Sequence, residues 1–448
     1  MLINLALSDI ALACGGELIG SDHTVSAVVT DTRKIVSGCV FIALRGERFD
    51  GHDYVAQAVR DGAVGVVSEQ ALDVPAYVKV LNTTLAYGAI ARLIREAFKG
   101  PVVCITGSNG KTTVKDWLAQ SLASRSVLKT RANLNNQIGL PQTLLELEAH
   151  HDVAVIEAGT SFSGEIALLA KIAVPDVVIL TNANGSHFEG LGGLEGIAKE
   201  KGELISGSSP EAAIILNSDD VYFDYWCGLA AGRTIYSFGF TKAASLYASD
   251  VSLSAEFSEA TFHYHGEALP VFIAGAGLHQ IANGMAVVLA MLVIGIDFKF
   301  AVGALATPVL VSGRLERLET KNGALLINDC YNASPTSVEA AIDVLAMQLV
   351  DETWLILGAL GELGDQQDEI HRGLGIYAKN KGVSCLICVG PIAAVAGIAF
   401  RSKGGNAIFC NTHNEAATVV RQLDKKHAIL VKGSRSAKME NVIEALNN

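Results

Sequence analysis

A glycine-rich stretch, Thr106-Gly-Ser-Asn-Gly-Lys-Thr-Thr113, directly follows an apolar run that begins at Val102 and opens an amphipathic segment. Glycines let a backbone turn tightly enough for successive N–H groups to converge on phosphate oxygens. The start of a helix adds partial positive charge at the same point. Here Gly107, Ser108, Asn109 and Gly110 would wrap a triphosphate, flanked by Thr106 and Thr113. Lys111 would hold the β- and γ-phosphates, and the Thr112 hydroxyl would reach magnesium. The usual phosphate-loop pattern asks for a glycine five residues before Gly110, where Ile105 stands, so this loop is short.

Glu157 ends the apolar run 153–156. A carboxylate at the carboxyl end of a core strand sits where ligands bind in open α/β sheets. Magnesium prefers oxygen ligands and is commonly held by few protein groups plus phosphates, a role that suits Glu157 and Thr112. Asn182 stands just past the run 177–181, and His187 lies in the glycine-rich stretch 184–190 beside the same expected sheet edge. A lone histidine is more often structural, but this placement points to function.

These residues need rigid elements behind them. The spacing predicts a helix over 111–125, with Val114, Trp117, Leu118, Ser121 and Leu122 on one face. Short, nearly all-apolar runs at 102–106, 153–156, 177–181 and 213–216 suit a parallel sheet covered on both faces. The stretch 235–275 alternates as antiparallel strands do. His263 and His265 would share a strand face there, as a metal pair or, by preference, as solvated side chains. Further strand-like runs at 325–327, 354–357, 385–389 and 428–431 alternate with helical stretches near 336–349, 366–380 and 414–424. Three α/β units are therefore expected, over 1–99, 100–310 and 311–448, with Gly100-Pro101 as a linker.

Of 448 residues, 50% are hydrophobic and 18% charged, enough for several cores. The net charge of -12 speaks against non-specific nucleic-acid binding, which needs a basic face. Met1-Leu-Ile-Asn4 lacks the basic start of a secretory signal. The longest apolar run, 285–296, is shorter than the about 20 residues of a membrane span and reads as a buried helix. The eight cysteines are scattered, as buried reduced thiols in a cytoplasmic protein would be. Cys385 and Cys388, three apart on an expected strand, would point to opposite faces rather than share a metal.

Taken together, these residues resemble the Mur ligase family. Its loop, T-G-[ST]-x-G-K-[ST], fits Thr106 to Thr112, and Ser186-His-Phe-Glu-Gly190 is similar to its histidine segment. The resemblance implies a small N-terminal uridine-nucleotide-binding α/β domain, a central P-loop domain with a parallel sheet, and a C-terminal Rossmann-like α/β domain. It also implies ATP, two magnesium ions, and a lysine carbamylated to a metal ligand, matching Lys201; Lys199 is the competing position. Thr112, Glu157, His187 and the carbamate would hold metal. His279 and Asn283 would meet the adenine, Asp329 the ribose and Arg314 the phosphates.

Within the family, three segments resemble the members that add D-alanyl-D-alanine to a UDP-N-acetylmuramoyl-tripeptide. They are Asn133-Leu-Asn-Asn-Gln-Ile-Gly139, Asn328-Asp-Cys-Tyr-Asn-Ala-Ser-Pro335 and Leu430-Val-Lys-Gly-Ser-Arg435. The resemblance places Asn133, Asn135, Asn136, Tyr331, Asn332, Lys432 and Ser434 at substrates, and Asp31, Thr32 and Arg33 at the uridine nucleotide. A monomer with no nucleic-acid or membrane partner is expected. The family's acidic residue after Leu357-Gly is replaced by Ala359, and 159–162 and 184–186 also depart from its pattern. A sister ligase adding one amino acid, a folate-glutamylating ligase, and a nucleotide switch without bond-forming chemistry are the rival readings.

Overall fold

The computed structural model describes residues 2–46, 49–185, 188–309 and 311–447. Besides a two-stranded antiparallel ladder of Leu5–Ala6 with Thr24–Val25, it builds three large sheets in chain order. The first is five-stranded, in the order Glu17–Gly20, Ala76–Lys79, Gly65–Ser68, Cys39–Ile42, Ala27–Val29; only its first pairing is antiparallel. The second is nine-stranded. Val102–Thr106 is third from one edge, between Val177–Leu180 and Val153–Glu157, all parallel. The third is six-stranded, and its parallel strands Leu325–Asp329, His427–Lys432 and Glu352–Leu357 are neighbours.

Alternation along the central strands explains how the first two sheets are joined. Val102 and Cys104 face one core, Val103 and Ile105 the other. The first of these cores runs without a break into the N-terminal unit, through Ile90 and Ile94 of helix Thr83–Ala97 to Leu7 and Ile10. Buried Arg95 on that helix pins the contact, donating to Ala173 O (2.9 Å), Val174 O (2.9 Å) and Asp176 Oδ2 (2.6 Å). Gly100-Pro101, expected as a linker, is packed. A Cβ on Gly100 would come within 2.4 Å of Asp152 O, and Pro101 O accepts from Ala154 N.

The other core packs helix Lys111–Ser121 and helix Leu278–Val293 onto the sheet. Val114, Trp117, Leu118 and Ser121 recur at helical spacing, and all are buried as the sequence predicts. Among the described residues no helix is long and apolar enough to cross a membrane.

Two expectations change. The stretch 235–275 is only partly antiparallel: Ile235–Gly239 pairs parallel on both sides, with Ala213–Asn217 and with Leu246–Leu253. His265 does not share a strand face with His263. Strand Ser258–Tyr264 ends before it, and His265 turns the chain at φ +48°. His263 instead stacks on Tyr247 and meets Ser249 Oγ at 2.8 Å. Cys385 and Cys388 do face opposite cores, and all eight cysteines are free.

Trp226 is fully buried, and its Nε1 donates to Ala198 O (3.0 Å) in helix Leu194–Ser206, which carries Lys201. Trp226→Ala should lower the unfolding free energy by about 3–5 kcal/mol, measured by urea denaturation. A change under about 1 kcal/mol would show that this helix is held by other contacts.

Candidate functional site

The parallel strands bring polar residues to one carboxyl edge. Thr106 and Glu157 end their strands, and Thr181 stands one residue past its own. The loop 107–110 bends over this edge. Ser108 N donates to Asn182 O (2.9 Å), Asn109 N to Asn182 Oδ1 (3.0 Å), and Thr181 Oγ1 to Asn109 O (2.6 Å). Gly110 opens the helix at φ +88°, and a Cβ there would lie 2.5 Å from Asn283 Oδ1, so glycine is required twice over.

Lys111 Nζ donates to Gly107 O (2.7 Å) and Ser108 O (3.3 Å). Burial, opposed by the Glu157 charge and aided by Arg314, draws its pKa down. One residue on, Thr112 Oγ1 donates to Glu157 Oε2 (2.9 Å) and accepts from Arg314 Nη2 (3.1 Å). Asn135 Nδ2 donates to the other Glu157 oxygen (2.8 Å). The buried carboxylate is thus oriented on both sides.

Lys201 is 2% exposed, and no hydrogen-bond or ion-pair partner is present among the described residues. Burial first, then the Lys111 charge, holds its amine far below the ordinary lysine range. Lys199 is different: it is on the surface, paired with Glu195 at 2.7 Å. His187 lies outside the described residues.

The C-terminal unit supplies the facing wall. Arg314 stacks its guanidinium 4.4 Å over the Tyr331 ring. Its turn is fixed by Glu316 Oε2, which accepts from Ser312 Oγ, Gly313 N and Asn328 Nδ2. Asp329 accepts from Leu315 N (3.1 Å) and from buried Lys432 Nζ (2.5 Å), which also donates to Asn332 O (3.1 Å). Ser434 Oγ and N both donate to Ala359 O (2.7 and 3.0 Å). Half-buried His279 has its pKa drawn down by burial, against the Asp329 charge. Between the walls lies a cleft of about 1640 Å³, lined by Lys111, Glu157, Asn283, Arg314, Asp329 and Tyr331 among others. A single small-molecule site spans roughly 300–1,000 Å³, so this one has room for several ligands together.

Sequence comparison matches the Mur ligase family, catalytic domain, over residues 24–99, the Mur ligase middle domain over 105–291, and the Mur ligase, glutamate ligase domain over 313–435. The UDP-N-acetylmuramoyl-tripeptide--D-alanyl-D-alanine ligase of Escherichia coli (strain K12) is 35% identical, covering 99% of both chains. The enzyme of the same name from Bacillus subtilis (strain 168) is 32% identical, again over 99% of each. The chain belongs to the Mur ligase family. A crystal structure of MurF from Acinetobacter baumannii superposes on this Mur ligase with a TM-score of 0.91 at 30% identity over all of both chains. A MurF ligase from Thermotoga maritima in complex with ADP does so with 0.84 at 29% identity, covering 94% of this chain and 96% of that one.

Not every residue expected at the site of this Mur ligase reaches the cleft. Asn133, Asn135, Asn136, Tyr331, Asn332, Lys432 and Ser434 line it, as do Ser108 to Thr113, His279 and Asn283. Asp31, Thr32 and Arg33 do not; Arg33 is on the surface, paired with Asp31 at 2.7 Å, and holds that carboxyl at about 2. Sequence reasoning also missed Lys115. It is 2% exposed, 3.9 Å from Glu157 Oε2 and 3.4 Å from Asp116 Oδ2. The signal was present: Lys115 falls on the apolar stripe of its helix, where a lysine is rarely buried without a partner. Glu200, which accepts from Gly164 N (2.8 Å) and Ile166 N (2.7 Å), gave no such signal.

Removing the cation beside Asp329 leaves a buried carboxylate unpaired. Lys432→Met should cost about 3–5 kcal/mol of unfolding free energy, and Lys432→Met/Asp329→Leu should recover much of it. Denaturant titration of the three proteins checks this; a fully additive double variant would contradict the pairing.

Proposed function

We propose that this Mur ligase joins D-alanyl-D-alanine to a UDP-N-acetylmuramoyl-tripeptide, converting ATP to ADP and phosphate. The chemistry is supported by the Thr112 hydroxyl bridged to Glu157 and Arg314 in a cleft between two units. The acceptor is supported by the end-to-end likeness to ligases of that name. The units would divide the work at 1–99 for the uridine nucleotide, 100–310 for ATP and 311–448 for the dipeptide.

A carboxylate and an amine do not condense unaided at neutral pH. In our reading ATP lies along the loop 107–113, and Lys111 gives up the carbonyls of Gly107 and Ser108 for the phosphates. Asn283 and His279 contact the adenine. Asp329 spends two of its about four lone-pair sites on Leu315 N and Lys432, leaving the others for ribose hydroxyls. The tripeptide carboxylate oxygen bonds to the γ-phosphorus as the bond to the ADP oxygen breaks, giving an acyl-phosphate. Lys111 and Arg314 offset the charge in flight. The dipeptide amine then adds to the acyl carbon, loses its proton, and phosphate leaves with the C–O electron pair. Asn133, Asn135 and Asn136 meet the tripeptide. Tyr331, Asn332 and Ser434 frame the dipeptide, with Lys432 positioning Asn332. Burying the acyl-phosphate between closed units keeps water from it.

The donor set fits magnesium. A hydroxyl and a carboxylate, both hard oxygen donors, lie 2.9 Å apart where the loop begins its helix. Thr112 and Glu157 would hold one ion; Lys201, with His187, would serve the second. Burial makes the Lys201 amine give up its proton more readily, and the neutral amine can add to carbon dioxide, releasing a proton and leaving an anionic carbamate oxygen. When bound, the two ions would supply charge neutralisation to the triphosphate. Eight free thiols and the demand for ATP suit a cytoplasmic setting.

Phosphate release separates this reading from its rivals. It should require the nucleotide-tripeptide and D-alanyl-D-alanine together; turnover of ATP alone would indicate a switch, and turnover with a single amino acid a sister ligase. Lys111→Ala should reduce release by roughly 10²–10³-fold or more. Lys201→Ala should be inactive and partly rescued by a short carboxylic acid, whereas near wild-type activity without any addition would remove Lys201 from the metal site.

A further inference from the structure

The loop residue that the motif leaves free is the one that crosses the cleft. In T-G-[ST]-x-G-K-[ST] the variable position is Asn109. Its backbone is fixed to the central sheet by Thr181 and Asn182. Its side chain goes the other way. Asn109 Nδ2 donates to Thr336 Oγ1 (3.1 Å), and Asn109 Oδ1 accepts from Ser334 Oγ (3.0 Å).

Both partners stand at the start of helix Pro335–Ala346 in the C-terminal unit. Ser334 is its N-cap and accepts from Ser337 N (3.3 Å). That cap closes the segment 331–334, whose Tyr331 carries the Arg314 stack and whose Asn332 oxygens receive Lys432 Nζ and Arg435 N. A displacement of Asn109 is therefore felt, through one capped turn, by the groups that frame the proposed dipeptide site. No other loop side chain makes a described hydrogen bond to this segment; the Arg314–Thr112 bond crosses elsewhere.

We propose that Asn109 is a positioning residue that couples nucleotide occupancy of the phosphate loop to the dipeptide site, through its two hydrogen bonds to Ser334 and Thr336. Phosphates ordering the loop fix the carboxamide, and the fixed carboxamide holds the helix start and the 331–334 segment in place. The coupling rests on the dipeptide reading above, but the latch itself does not require turnover to be observed.

The test uses the full chain and the variants Asn109→Ala, Thr336→Val and their combination. D-Alanyl-D-alanine affinity is measured by calorimetry in the presence of the nucleotide-tripeptide, with and without a non-hydrolysable ATP analogue. Amide hydrogen exchange over 331–337 is followed on adding the analogue alone. In the wild type the analogue should tighten dipeptide binding and slow this exchange. In Asn109→Ala, with the analogue held saturating for each protein, the tightening should fall by about threefold to tenfold, the worth of one or two hydrogen bonds. Thr336→Val should show part of the loss, and the double variant no more than Asn109→Ala. Unchanged tightening and exchange in Asn109→Ala, strictly additive variants, or a wild type without any analogue effect would overturn the proposal. Failure of the wild type to bind the dipeptide, with exchange over 331–337 still responding through Asn109, would instead remove the dipeptide reading and leave the latch standing.

Discussion

One hydroxyl joins three parts of the molecule. Thr112 Oγ1 donates to a carboxylate at the end of a central strand and accepts from an arginine of the C-terminal unit. A threonine hydroxyl has one proton and two lone pairs, so both bonds can exist together. Everything else in the site is arranged around this point: the loop that sets where the helix begins, the strand that ends in Glu157, and the turn that aims Arg314.

The units are held in different ways, and the difference suits the chemistry. The N-terminal and central units share one apolar core, whose separation would expose buried leucines, isoleucines and valines. The C-terminal unit has two cores of its own, and the central unit sends Phe188 against one of them. Across that boundary run hydrogen bonds: Asn109 to Ser334 and Thr336, Arg314 to Thr112, Arg317 and Gln348 to Ala255 O. The neutral ones are worth about 0.5–1.5 kcal/mol net and the arginine ones about 1.5–3 kcal/mol, because water can replace each of them. Such a boundary can open to admit substrates and close over them, while the shared core keeps the phosphate loop in register with the sheet.

Much of this was legible in the residues. Short all-apolar, β-rich runs suit strands covered on both faces, and the loop between strand and helix puts Lys111, Thr112 and Glu157 at one expected edge. The choice of Lys201 over Lys199 rests on the Gly202-Glu203-Leu204 that follows it as in the family, and the structure buries Lys201 while leaving Lys199 in solvent. Other features depend on tertiary partners that a sequence does not display. Lys432 could be read as a substrate contact, whereas its nearest group is Asp329, about a hundred residues away and brought alongside by a parallel strand pair. Asn109 occupies a position the motif leaves open, and its partners lie 225 and 227 residues further on. His265 was misplaced because alternation does not mark the residue where a strand gives way to a turn.

The account stands on direct phosphorylation of the tripeptide carboxylate in the cleft. Labelling that carboxylate with oxygen-18 and analysing the inorganic phosphate after a single turnover tests this most directly. One labelled oxygen per phosphate is the expected result, since the acyl-phosphate bridge oxygen leaves with phosphorus. Unlabelled phosphate, with the displaced heavy oxygen found in water or in the nucleotide instead, would contradict it.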